Sequence, residues 1–523
     1  MKRIVMAGAF LTAGWAAAAD GVLNPYAGVV WDRVEYVHSF SHQHGHSPEV
    51  FWDMGYRHLP FSNYYPSEPV YPLPAAFIQK HPEAAGAPNA EQHSTTDSGV
   101  HFNAVGSVYT TGYGLTPRLK AGAAPIEQVF QGVHVFNPTN APWLGVYRLD
   151  LEFAPRAGTD AVAAVTLTVD GAVETRAKDF ATVGDGSVRE RTFGSQSPKS
   201  ILLKTLADNI RVRVGLDPAT TRITKFRLMQ GTNRPWRDAF RAALDGMLYP
   251  DAGGLTINHP GSNLGELLAQ LDFDERVLGV EVWNHDGLFG CSPRQPEAMT
   301  YYAQWDNVLR TGRRCFGFFV KDHYLYGRGR NVLLIPDFAK LTPKEREREA
   351  LRAYRQGRFF GLLGAMATGA DGKVVAPYDR SDFRFTRIAV RQNADGSAAG
   401  LEVAVGDADR TKRPNTQIRF ITDLGAARVE NAGQAFFAFP RDADGKIRCR
   451  YVRAEAFSYP DTHGGGKPLT HEAFSALNVQ QIARLNDRLG DLSRTLVDPE
   501  GQEPVGIVDM LFSQAIQIRP VGP

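Results

Sequence analysis

Apolar and polar positions alternate along this chain in two textures, and the change between them divides it. In the first texture, helix-like and strand-like segments take turns. Pro48 to Gly55 (PEVFWDMG) reads as a helix opened by Ser-Pro and closed by Gly. Arg57 to Ser62 follows as a short strand. The same texture returns with Trp236 to Met247 as an amphipathic helix and Gly254 to Asn258 (GLTIN) as a buried strand. Leu264 to Leu271 is helical, Val277 to Trp283 (VLGVEVW) a strand, Thr300 to Thr311 a helix and Cys315 to Val320 a strand. Such alternation predicts parallel β/α units, with functional residues just beyond the carboxyl ends of the strands.

The second texture is short and β-rich. Gly145 to Phe153, Ala161 to Val169 and Asn209 to Val214 are separated by Gly, Asp and Pro turns, which predicts an inserted antiparallel sandwich over about 120–230. It recurs after about residue 376 with Phe383 to Val390, Leu401 to Val405 and Gln417 to Ile421. One polar helix, Leu469 to Leu492, is expected after Gly464-Gly465-Gly466. The expected organisation is a leader (1–19), a β/α region in two parts (20–119 and 231–375), the insert (120–230) and a C-terminal β-rich domain (376–523).

Composition adds a compartment. Lys2 and Arg3, the apolar run Ile4 to Trp15 and Ala17-Ala18-Ala19 have the form of a secretory leader, which predicts a periplasmic or secreted protein. No later stretch approaches the roughly 20 apolar residues needed to span a bilayer. Losing Lys2 and Arg3 takes the formal charge from +2 to zero, so a nucleic-acid partner is not expected. Three cysteines, Cys291, Cys315 and Cys449, form no C-x-x-C pair, which argues against thiolate zinc ligation and leaves room for one disulfide.

Candidate chemistry lies in the histidines. Eight of fourteen precede residue 102, and His38, His42, His44 and His46 stand within nine residues. Imidazole is the commonest protein ligand for catalytic transition metals, although a His-rich loop can also be solvated surface. Further ligand-type residues fall at or near predicted strand ends: Glu91 with His93 and His101, His259, Glu281 with His285, and Asp322 with His323. Imidazoles from separate strand ends around a carboxylate able to bridge two cations are what a dinuclear hydrolase needs.

In order along the chain, His38-Ser with its following helix, Glu91 with His101-Phe-Asn-Ala-Val-Gly, Asn258-His259-Pro260, Gly279-Val-Glu-Val-Trp-Asn and Asp322-His323 resemble the motifs of the PHP (polymerase and histidinol phosphatase) superfamily of metal-dependent hydrolases. The likeness is to its exported, carbaryl- and carbamate-hydrolase-like branch. It implies an α/β fold, a distorted PHP-type (β/α) barrel carrying the inserted β-sandwich and the C-terminal β-domain. By resemblance, the metal ligands are His38, Glu91, His101, His259 and Asp322, with Glu91 bridging. The family opens with His-x-His where this chain has Tyr36-Val37-His38, so His42 or His44 would replace the missing first ligand. Ser62-Asn63-Tyr64 stands where the family has Thr-Asp-His, which reduces the expected content to one or two divalent ions, Zn, Mn or Fe. His323 would protonate a leaving group or stabilise an oxyanion, and Arg328 and Arg330 would grip a phosphate ester. The expected substrate is a small molecule, phosphorylated or glycan-derived. Amide or carbamate hydrolysis, and a catalytically silent glycan- or ligand-binding protein, remain as alternatives.

Overall fold

The computed structural model describes residues 22–44, 47–62, 71–92, 100–107, 126–131, 145–159, 164–170, 174–175, 181–183, 188–194, 199–205, 209–232, 236–284, 300–322, 329–364, 383–406, 413–463, 467–479, 481–482 and 508–518. The leader expected at 1–19 lies outside them. The chain divides into two compact units, one of Met1–Phe61, Tyr71–Ala87 and Tyr249–Pro523, the other of Ser62–Val70 and Pro88–Leu248.

In the first unit, strand β1 (Val34–Ser39) leads towards helix α1 (Pro48–Asp53). Ser47 caps that helix by accepting the Glu49 N–H at 3.2 Å, and Pro48 occupies the first turn, where a missing N–H costs nothing. Later come β2 (Gly254–Asn258), α2 (Leu264–Leu271), β3 (Val277–Asn284), α3 (Thr300–Arg310) and β4 (Phe316–Val320). Strands β2, β3 and β4 are parallel neighbours in that order. Each is buried along its whole length, as strands covered on both faces must be. Gly317 is required in β4: a Cβ there would stand 2.7 Å from Val282 and 2.9 Å from the Trp305 ring.

The alternation stops at β4. The next strand, β5 (Gly329–Pro336), runs antiparallel both to β1 and to β6 (Phe359–Leu363), although helix α4 (Pro343–Gln356) separates β5 from β6. A Thr342–Glu345 capping box starts α4 and Gly357, at φ +68°, stops it. β6 pairs with β8 (Asp509–Ser513), which pairs with β7 (Tyr451–Tyr459). Tyr451–Tyr459, Asp509–Ser513 and Ile516–Ile518 thus enter the same eleven-stranded sheet as β1, whose far end is Val22–Leu23 against Ile516–Ile518. One face of this sheet packs on a three-stranded sheet of Arg384–Gln392, Ala398–Gly406 and Gln434–Ala438, through Phe385, Leu401, Val403, Phe437, Val452 and Leu511 among others.

The expected (β/α) barrel is therefore corrected. The described residues are mostly β, arranged in several sheets, with no closed barrel. The physical reason lies at the outer edge of β4, where barrel closure would place another strand. Side-chain amides occupy that edge instead. Gln514 accepts the Gly317 N–H at 2.8 Å and donates to the Gly317 carbonyl at 3.0 Å, and Asn331 Oδ1 accepts the Phe319 N–H at 3.0 Å. The expected polar helix over 469–492 is interrupted where it is described. His471–Ser475, capped by Thr470, gives way to a turn at Ala476, Val479 and Gln481–Ile482 are helical again, and residues 480 and 483–492 lie outside the described residues.

The second unit holds the insert. Two antiparallel sheets, of four and five strands, share a core of Leu149, Leu151, Phe153, Val165, Leu167, Val212 and Val214 with their neighbours. The unit also contains the hairpin Glu91–Gln92/His101–Val105 and the helix Trp236–Asp245, whose Phe240 packs on Phe102. Cys315 and Cys449 are buried free thiols, and burial pushes them up to about 12 and about 11. Among the described residues no helix is long and apolar enough to cross a membrane.

Candidate metal centre

The carboxyl ends of the three parallel strands gather the ligand-type residues of the first unit. His259 immediately follows β2, Glu281 and Asn284 close β3, and Asp322 lies two residues past β4. The loop after β1 adds His42 and His44. An aromatic knot holds the root of that loop: Phe40 meets Phe51 and Phe61 at 5.1 Å and Tyr56 at 5.5 Å. Backbone bonds then tie the loop to the end of β4. His44 N–H reaches the Asp322 carbonyl at 3.0 Å, and Asp322 N–H reaches the His42 carbonyl at 3.2 Å. Loop residues fixed this way aim their side chains without depending on side-chain contacts alone.

His259 and Asp322 both have positive φ, +46° and +54°. Left-handed backbone at a residue with a Cβ costs on the order of 1 kcal/mol or more, and such positions persist where surrounding bonds over-determine them. The Asp322 bonds just described, and the His259 N–H held by Glu281 Oε2 at 2.9 Å, supply that restraint.

Three donor atoms converge. His42 Nε2 lies 2.9 Å from His44 Nε2 and 3.1 Å from Asp322 Oδ1, and His44 Nε2 lies 3.5 Å from Asp322 Oδ1. Around an ion with bonds of about 2.0–2.1 Å, these edges correspond to angles of roughly 90°, 98° and 117°. The triangle therefore matches one face of a four- to six-coordinate metal. All three residues are buried. Asp322 turns its other oxygen, Oδ2, towards His259 Nε2 at 3.5 Å and accepts an Asn284 amide N–H at 3.1 Å. Glu281 is fully buried, and among the described residues its partners are the His42 and His259 rings, the His259 backbone and the Asn284 amide, with no Lys or Arg. Buried carboxylates and imidazoles in this arrangement can hold a metal ion.

His38 stands apart from these donors. It lies within β1, and its Nδ1 faces Arg330 Nη1 at 3.2 Å. A guanidinium only donates, so that nitrogen accepts and the ring is neutral. Burial, with Arg330, Arg57 and Lys321 nearby, holds the His38 pKa well below the usual range. Lys321 and Arg330 are buried near the same Tyr56 ring, 5.3 and 5.9 Å from its centroid. Behind them Tyr354 OH donates to Ser39 Oγ, which lies 2.8 Å from His58 Nδ1. Burial drives the His58 pKa down to about 3.

Glu91 and His101 belong to the second unit. Glu91 is buried, with His101 Nδ1 3.4 Å from Oε1. Beside them Asn89, Asn103 and Ser62 form a buried hydrogen-bonded group. His46, His93, His285, His323 and Arg328 lie outside the described residues. Glu281 and Asn284 were absent from the expected ligand set. Their signal was legible as polar residues in the otherwise apolar strand VLGVEVWN, where burial demands a partner.

No protein-family model matches the chain, and neither does any curated protein or solved structure.

Proposed function

We propose that this chain is an exported metal-dependent hydrolase, acting on phosphoesters in preference to amides or carbamates. The observation that carries the reading is the convergence of His42 Nε2, His44 Nε2 and Asp322 Oδ1 beyond the ends of parallel strands. One or two divalent ions, Zn, Mn or Fe, suit this donor set, the second position being suggested by His259 opposite Asp322 Oδ2. A divalent ion there would supply Lewis acidity and a water acidified to a pKa of about 7. The chain's own residues do the rest. The paired backbone bonds between the His42–His44 loop and Asp322 keep the donors in place without substrate. Lys321 and Arg330, buried beside a neutral His38, favour an anionic substrate group. His323 as proton donor or oxyanion stabiliser, and Arg328 as a partner of Arg330 in gripping a phosphate ester, are part of this reading and lie outside the described residues.

The test is elemental analysis of the purified protein, followed by assays with p-nitrophenyl phosphate and an aryl carbamate before and after metal removal and reloading. Stoichiometric metal and metal-dependent phosphate release are expected. Absence of bound metal sinks the reading, and stoichiometric metal without turnover of either probe leaves a ligand-binding protein.

A further inference from the structure

Glu281 sits in the middle of the metal-capable cluster, yet its geometry is that of a residue serving a ligand. Its Oε1 lies 2.6 Å from His42 Nδ1. Its Oε2 accepts the His259 backbone N–H at 2.9 Å and an Asn284 amide N–H at 3.1 Å, and lies 3.2 Å from His259 Nδ1. Two bonds of about 2.0–2.1 Å to donors 2.6 Å apart would enclose an angle of about 80°, below the roughly 90° of octahedral neighbours and the roughly 109° of a tetrahedron. A separation of 2.6 Å is instead that of a short, charge-assisted N–H···O bond. His42 also has its other nitrogen, Nε2, facing His44 and Asp322, so its Nδ1 points away from the donor triangle.

We propose that Glu281 is a positioning residue and not a metal ligand: it fixes His42 as the Nδ1–H tautomer, which turns the Nε2 lone pair to meet His44 Nε2 and Asp322 Oδ1. Asn284 completes the device. Its amide donates to Glu281 Oε2 and to Asp322 Oδ2, both at 3.1 Å, so one side chain sets the spacing between the orienting carboxylate and the ligating one. The arrangement places the orienter on the rigid interior strand β3 and the ligand it serves on a loop. A metal ligand's second ring nitrogen commonly carries such a carboxylate partner.

This inference rests on the metal reading above, and its test separates the two. The full-length protein and its Glu281→Gln variant are compared for Zn(II) stoichiometry, for Zn(II) affinity by chelator competition, and for the visible absorption of the Co(II)-substituted form. Expected are an unchanged stoichiometry, a fall in affinity of about 10–100-fold and a Co(II) spectrum of the same coordination number. Loss of a metal equivalent, or a changed coordination number, makes Glu281 a ligand and overturns the inference alone. An unchanged affinity overturns it equally. A wild-type protein that binds no Zn(II) overturns the metal reading and this one together. Should the variant fail to fold, 15N-histidine spectra of the wild-type protein decide the matter: a proton on His42 Nδ1 with Nε2 bare is expected, and the opposite tautomer refutes the proposal.

Discussion

Two largely buried polar clusters in the first unit solve the same electrostatic problem in opposite ways. Between α3 and β7, Arg453 bonds Asp306 at 2.9 Å, Glu455 and the Tyr302 hydroxyl, while its guanidinium lies 4.7 and 4.6 Å from the Tyr302 and Trp305 ring centroids. Here the fold supplies its own cation. At the strand ends, by contrast, the partners of Glu281 among the described residues are imidazole, amide and backbone groups. Burying a carboxylate is costly unless charge or hydrogen bonds offset it. The first cluster carries its own guanidinium, whereas the second groups carboxylates and imidazoles that could hold a metal ion.

The sharpest break between them is functional. Asp322→Ala or His42→Ala should remove bound metal and lower hydrolysis of the phosphate probe by at least about 1,000-fold, roughly 4 kcal/mol in barrier. Arg453→Met should leave metal content per folded chain unchanged, and equal metal loss in both would erase the distinction. Next in size is stability. Arg453→Met strands Asp306 and Glu455, so urea unfolding should show a loss of about 3–5 kcal/mol; a change below about 1 kcal/mol would mean the cluster is not self-contained. Third, Zn(II) at about 100 times its Kd should stabilise the wild type by roughly 2.7 kcal/mol in thermal melts, and His42→Ala hardly at all.

The last effect, and the smallest per pH unit, concerns the buried, uncharged His58. Its folded pKa of about 3 lies below the unfolded value near 6.5, so the unfolded chain binds the extra proton first. Its contribution is complete above about pH 6.5 and is lost as pH falls towards 3, with a slope of at most about 1.4 kcal/mol per pH unit. Urea midpoints measured from pH 7 to 4 should follow that slope, and His58→Asn should flatten it.

Local features of the fold were legible where local chemistry decides them. Leu264–Leu271 and Gly254–Asn258 fall where periodicity places them, the helix beginning at Asn263, whose side chain accepts the Glu266 N–H. Closure was not legible. Strand–helix alternation counts β/α units, but it says nothing of what lies on the last strand's outer edge, and Gln514, nearly 200 residues from Gly317, is invisible to any local pattern. The histidine cluster was legible as a cluster but not in its register. His38 lies inside a strand, beside Arg330, while His42 and His44 lie beyond the strand's end, where the loop can turn them. Glu281 shows the reverse difficulty: a conspicuous acid in an apolar strand, with the short distance to His42 Nδ1 needed to tell orienter from ligand.

The way the large sheet is completed has a consequence for biosynthesis. Val22–Leu23 pair with Ile516–Ile518, β8 lies between β6 and β7, and Gln514 braces the strand that leads to Asp322. Nearly the whole chain must therefore emerge from the ribosome before the donors of the metal centre can be locked in place. Pairings this distant in sequence form slowly. On the proposed metal reading, loading would follow translation and the docking of β8, and a ribosome-stalled nascent chain ending before residue 509 should bind Zn(II) weakly or not at all.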